Sequence, residues 1–142
     1  MSWSESLIKL ATYEVEARQL QLAEIASRLA EAEIRLAVLC AEGEAEAKRA
    51  REDAEAGWYH IGYADGLRLR KAVLQAQIDA IQVEERGARD ALAQAFEEQK
   101  KYEQVAENAR VAQAKETRRR ESAELDEVGM QAARRSSGRR AG

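Results

Sequence analysis

Apolar residues in the first third of the chain recur with the alternating spacing of three and four that marks a heptad repeat. Nine of ten successive core positions are apolar, and only Arg18 interrupts them. The apolar positions are Ile8, Ala11, Val15, Leu22, Ile25, Leu29, Ala32, Leu36 and Leu39. This pattern predicts one long amphipathic helix over about residues 3–56, and Ser2 followed by Glu5 predicts a capping box at its start.

A second repeat of the same kind occupies the latter half of the chain and predicts a helix over about residues 66–133. Its apolar core positions are Leu67, Leu74, Ile78, Ile81, Ala88, Leu92, Ala95, Tyr102, Ala106 and Ala109. Between the two repeats, residues 57–66 hold three of the eight glycines and three of the seven aromatic residues. That composition predicts a loop over about residues 57–65.

Two long helices joined by a short break fold back on each other, so the expected fold is all-α: an antiparallel coiled-coil hairpin. In such a hairpin the numbers of facing residues add to a constant, and both 117 and 124 keep apolar positions together. We favour 117 because it brings Arg18 to Gln99 and Glu46 to Lys71, which spares unpaired polar groups in the core. It places the bend at Trp58–Tyr59.

With that register the first helix covers the second only to about residue 115, so the second helix should overhang. Leu125 and Val128 lie on the overhang and have no helical partner there. Either the overhang is a frayed end, or it is a docking surface for another protein, which we favour because a long charged helix gains little stability alone. Residues 134–142 are predicted to be a disordered basic tail.

Composition agrees with a coiled coil and argues against several functions. Proline is absent and charged residues make up 35% of the chain, as in long exposed helices. The net charge of −3 provides no strong field for nucleic acid or membranes. A single cysteine, Cys40, permits no intramolecular disulfide and indicates a reducing compartment. With no signal-peptide pattern and no apolar run of about 20 residues, we expect a cytoplasmic protein.

No residues form a recognisable catalytic or metal site. His60 is the only histidine and Cys40 lies far from it in sequence, so we expect no metal, no cofactor and no enzyme activity. Carboxylates on an exposed rod lack a pocket that would shift their pKa values. Arg118–Arg120 and the terminal arginines are candidates for contact with nucleic acid. Acidic neighbours such as Glu121 and Asp126 repel phosphate, however, and no nucleic acid partner is expected.

Three local patterns resemble the flagellar export protein family FliJ. Residues 29–39 are similar to the centre of the family's first helix, and residues 99–103 to a region of its second helix. Glu121, Leu125, Asp126 and Glu127 match its C-terminal acidic signature. The resemblance spans residues 1–135.

The resemblance implies a monomeric stalk of the flagellar type III export apparatus, similar to the gamma subunit of rotary ATPases. Its implied partners are the hexameric export ATPase, the cytoplasmic domain of the export gate and export chaperones. It would lie peripherally at the inner membrane face of the basal body, reaching the membrane only through these partners. The ATPase-binding residues would be Ile8, Leu125, Asp126, Glu127 and Val128, and the gate-binding residues Leu36 and Leu39.

The alternative is a generic coiled-coil scaffold or a dimerising spacer, which an exposed second apolar seam would favour. A nucleic acid binder acting through the basic tail is the third hypothesis.

Overall fold

The computed structural model describes the backbone of residues 2–141 and the side chains of residues 2–53 and 58–139. It contains two helices, α1 (Trp3–Glu52) and α2 (Ala54–Ala141), and residues 2–141 include no strand. The two helices pack against each other, so the predicted all-α hairpin is confirmed. Contacts divide the chain into two units, one formed by Ala11–Glu97 and one by residues up to Leu10 together with those from Glu98 onward.

The start of α1 is the predicted capping box. The Glu5 backbone N–H donates to Ser2 Oγ at 3.2 Å, and the Ser2 backbone N–H donates to Glu5 Oε2 at 3.3 Å. The Ser6 N–H reaches the Ser2 carbonyl oxygen at 3.1 Å, which closes the first turn. These bonds satisfy backbone donors that a helix start leaves unpaired.

The core of the Ala11–Glu97 unit is a narrow seam between α1 and α2. The buried residues there are Ala11, Val15, Ile25, Ala32, Leu39, Gly43, Leu67, Ile78, Ala88 and Ala95. The remaining large seam residues of this unit are half-buried: Leu22, Leu29, Leu36, Leu74, Ile81 and Leu92. The seam thus mixes small side chains with large ones, and among the described residues no large side chain is completely buried. The apolar surface removed from water is therefore modest for so long a chain.

The structure corrects the register. Gly43 faces Leu67, and the Arg28 guanidinium pairs with the Glu84 carboxylate at 2.8 Å. The numbers of these pairs add to 110 and 112, so within this unit α2 is displaced by about one heptad from the favoured 117. Sliding by seven residues returns apolar residues to the seam, so the heptad pattern cannot distinguish registers that differ by one heptad.

The break between the helices also lies earlier than predicted. Residue 53 is the only one between Trp3 and Ala141 outside a helix, and the Asp53 N–H still donates to the Arg49 carbonyl oxygen at 3.1 Å. The predicted loop at 57–65 is wrong, since those residues belong to α2. Each glycine costs a helix only about 1 kcal/mol relative to alanine, and no described glycine has a positive φ. Glycine content alone therefore did not end the helix.

In the other unit, burial fades along α2. Ile8 of α1 and Tyr102 and Ala106 of α2 are half-buried, whereas every residue from 117 to 139 is exposed. The helix continues through residues 134–139, which lie in the segment predicted to be a disordered tail. Their backbone groups are paired by the helix itself, although no tertiary contact covers their side chains.

Candidate functional site

The fully exposed part of α2, residues 117–139, is here called the distal helix. Leu125 is 72% exposed and Val128 is 61% exposed, and both lie on it. Together with Glu121 and Glu124 they line a shallow groove of about 360 Å³. These two large apolar side chains form a small contact surface on the exposed helix, which also carries Met130 at 52% exposure.

From Glu116 onward, the charge along α2 changes from acidic to basic and back to acidic. Glu116 accepts hydrogen bonds from Arg119 Nη2 at 2.8 Å and from Arg120 Nε at 3.3 Å. The hydrogen bond from Arg119, opposed in part by burial and aided by Arg120, lowers the pKa of Glu116 from its usual value. Four exposed carboxylates follow this cationic cluster, namely those of Glu121, Glu124, Asp126 and Glu127. The apolar pair therefore sits among negative charges.

A second surface lies in the Ala11–Glu97 unit, where α1 and α2 leave an apolar groove of about 540 Å³. Exposed side chains of Ile34 and Val38 from α1 and of Leu69 and Val73 from α2 line it. Leu39, which is buried, and Leu74 also line it, so the groove is continuous with the seam. Arg35, Arg70 and Glu42 provide charged side chains at the same groove.

Sequence reasoning missed the exposed residues of this apolar groove. Ile34 and Val38 are four residues apart, as are Leu69 and Val73, and all four lie outside the heptad seam. Residues four apart share one face of a helix. A pair of large apolar residues on an outward face of each helix was the signal that should have identified the groove.

Comparison with known proteins identifies the family of the chain. The flagellar FliJ protein of Caulobacter vibrioides is 50% identical to the chain over 131 residues, which cover 92% of this chain and 94% of the relative. The flagellar FliJ protein of a second strain of that species matches to the same extent. The chain belongs to the flagellar FliJ protein family. No protein-family model matches it, and no solved structure does.

Membership in the FliJ family supports a role as a component of flagellar export. The residues that the resemblance marked for partner binding differ in exposure. Leu125 and Val128 project from the distal helix, whereas Leu39 is only 8% exposed. Leu36 and Ile8 are half-buried. Leu39 is therefore accessible to a partner only through the apolar groove that it lines.

The remaining candidates for chemistry in this FliJ family member, His60 and Cys40, are not among the residues that line either surface. His60 belongs to α2, its ring centroid 6.3 Å from that of Tyr63, and Cys40 is half-buried and unpaired with any cysteine. Among the described residues no group of histidine, cysteine or acidic side chains could hold a metal ion. Nor does any helix in that part of the chain have the length and apolar character needed to cross a membrane.

Proposed function

We propose that this protein is a non-enzymatic component of the flagellar type III export apparatus, a stalk that binds the export ATPase and couples it to the export gate. Its membership in the FliJ family supports the export role. The observation that carries the stalk is the distal helix, on which Leu125 and Val128 are exposed and unpartnered. A helix with no tertiary contact gains its stability on binding.

The distal helix is the proposed ATPase-binding element, with Leu125, Asp126, Glu127 and Val128 in contact. Its apolar pair would enter a hydrophobic pocket, as an amphipathic helix does in a groove. The surrounding carboxylates call for a basic rim on the partner, which speeds encounter more than it tightens the final complex. Ile8, which is half-buried, would contribute indirectly by fixing the start of α1.

The proposed action on the ATPase is allosteric. A single helical hairpin in contact with a six-membered ring touches its subunits unequally. Such a ligand shifts the conformations of those subunits only as far as it binds one conformation more tightly than another. The stalk would thereby promote assembly of the ring and bias its catalytic cycle without taking part in the chemistry.

The apolar groove is the proposed surface for the cytoplasmic domain of the export gate. Ile34, Val38, Leu69 and Val73 supply exposed apolar area, and Leu39 lies buried beneath a partner seated on them. Leu36, also proposed from the family resemblance, would act through the seam that positions this groove. Export chaperones are the third class of partner in the proposal.

The distal helix is tested with the purified partner ATPase. Ring formation and ATP turnover are measured with the full chain, with Leu125→Ser/Val128→Ser, and with Val83→Ser as a control for an equally exposed valine outside both surfaces. We expect the full chain and the control to stimulate turnover and the double variant to lose the effect. Stimulation by the double variant and by a chain ending at Glu116 would refute the assignment.

The apolar groove is tested by pull-down of the gate domain and of export chaperones. Val38→Asp and Leu69→Asp should abolish gate binding. Each substitution removes an apolar contact and introduces a carboxylate that would have to be desolvated when the partner binds. Val83→Asp is the matched control and should bind normally. Gate binding that survives both groove substitutions would assign the gate to another surface.

A dimerising spacer is the competing function, and the exposed apolar groove is the observation that favours it. In that case a second copy of the chain would cover the groove. Sedimentation equilibrium separates the two, since the stalk predicts a monomer and the spacer predicts a dimer that Val38→Asp dissociates.

A further inference from the structure

The first turns of α2 carry a cluster of exposed large side chains that neither proposed surface uses. Trp58 and Tyr59 are each 78% exposed and Ile61 is 69% exposed. We call these three residues the tip cluster. They follow closely on Asp53, where the chain leaves α1 and enters α2.

The spacing of the tip cluster argues against another helix as its partner. A helix that packs on a second helix presents apolar residues three and four apart along one stripe. Trp58 and Ile61 have that spacing, but Tyr59 lies off their stripe, and at about 100° per residue the three spread over about 160° of the helix surface. Apolar side chains spread this widely fit a deformable partner surface better than the narrow face of a second helix.

The chemistry of the side chains identifies that surface. Tryptophan and tyrosine combine an apolar ring with a single polar N–H or O–H, and they are favoured where hydrocarbon meets water in a bilayer. Isoleucine adds hydrocarbon area without a polar group to satisfy. Partial insertion would bury the ring bodies and leave the indole N–H and the phenol O–H among lipid headgroups.

Charge around the tip cluster favours an anionic surface. Residues 48–71 include six lysines and arginines against four aspartates and glutamates, a balance of +2 in a chain whose total is −3. Arg49 and Arg51 lie in the last turn of α1, and Arg68 and Arg70 in α2. All four are exposed, although Arg68 also pairs with Asp65 at 3.2 Å and Arg49 with Glu46 at 3.5 Å. Cations beside an apolar insertion strengthen binding to anionic lipids.

We propose that the tip cluster of Trp58, Tyr59 and Ile61 inserts into the interfacial region of an anionic lipid bilayer, with the neighbouring arginines contacting lipid phosphates. This goes beyond the proposed function, in which the membrane is reached only through partner proteins. It would give the export stalk a direct contact with the lipid at the end where its two helices meet.

The full chain carrying Trp3→Phe tests this, because Trp58 is then its only tryptophan. It is mixed with vesicles of phosphatidylcholine containing phosphatidylglycerol, and with vesicles of phosphatidylcholine alone. We expect the emission of Trp58 to shift to the blue and to be quenched by lipids with brominated acyl chains, more strongly on the anionic vesicles. Unchanged emission and no flotation with anionic vesicles would overturn the proposal.

Substitutions test whether the tip cluster makes the contact with lipid. Trp58→Ser/Tyr59→Ser/Ile61→Ser should float with vesicles at least about tenfold more weakly, because most of the inserted apolar area is gone. Tyr13→Ser/Leu20→Ser removes similarly exposed side chains of α1 and should bind as before. Circular dichroism checks that each variant keeps its helix content. Undiminished binding by the tip variant, or loss of binding on deletion of residues 134–142, would place the lipid contact elsewhere and overturn the proposal.

Discussion

Leu67 of α2 packs into the space left by the missing side chain of Gly43 in α1. A Cβ built on Gly43 would overlap Leu67 Cδ2, whereas nothing lies within 4 Å of a Cβ built on Gly87. Gly43 is itself buried, and Leu67 is only 8% exposed. The glycine therefore belongs to the seam, and its fit with Leu67 holds the two helices in the observed register.

Substitution at Gly43 should destabilise the hairpin. Gly43→Leu overfills the seam and should lower the free energy of unfolding by about 1–3 kcal/mol. Gly43→Ala should cost less, because the better helix propensity of alanine returns up to about 1 kcal/mol. Urea unfolding followed by circular dichroism measures both. Gly87→Ala is the control and should raise stability by up to about 1 kcal/mol, since its Cβ meets nothing. Equal effects at both glycines would contradict the packing of Leu67 on Gly43.

Disulfide trapping tests directly which residues of α1 and α2 face each other. In a Cys40→Ser background, Gly43→Cys with Leu67→Cys should oxidise readily, because the two positions are in contact. Gly43→Cys with Leu74→Cys is the pair that the favoured register of 117 would bring together, and it should form little intramolecular disulfide. Faster closure of the second pair, judged by gel mobility without reductant, would restore the register expected from the sequence.

The ion pair between Arg28 and Glu84 joins α1 to α2 at 2.8 Å, but both side chains are about half exposed. Solvent screening therefore limits its coupling energy to about 0.2–1 kcal/mol. A double-mutant cycle with Arg28→Ala and Glu84→Ala should give that value at low salt and a smaller one at about 1 M salt, where the screening length falls to about 3 Å. Coupling unaffected by salt would indicate a contact other than this ion pair. The Glu31–Arg35 pair, within α1 at 3.9 Å, is a control for coupling inside one helix.

The pairing of Glu116 should make the helix near it sensitive to acid. Its pKa is lowered mainly by the hydrogen bond from Arg119. A group with a lowered folded pKa adds stability above its unfolded pKa, here 4.5, and this stability is lost as the pH falls through the folded value. NMR titration should show the pKa of Glu116 rising in Arg119→Ala. Arg118→Ala is the control and should leave it in place, and a pKa indifferent to Arg119 would contradict the assignment.

The apolar groove shows where sequence reasoning stopped short. Heptad counting sorted residues into seam and surface, and it treated Ile34 and Val73 as ordinary surface residues. Whether an exposed residue of α1 lies beside one of α2 depends on the register, which the count left open. The overhang was easier, because two helices of unequal length leave one end uncovered in either register, and residues 117–139 are exposed.

The sequence alone determined the all-α hairpin, the capping box of Ser2 and Glu5 and the exposed end of α2. Helix propensity, end-capping and heptad spacing are local properties, and each can be read within a few turns. Only the tertiary structure decided the register, the break at Asp53 and the apolar groove. A heptad seam looks the same after a slide of seven residues, so the choice rests on the steric fit of Leu67 against Gly43, two residues from different helices.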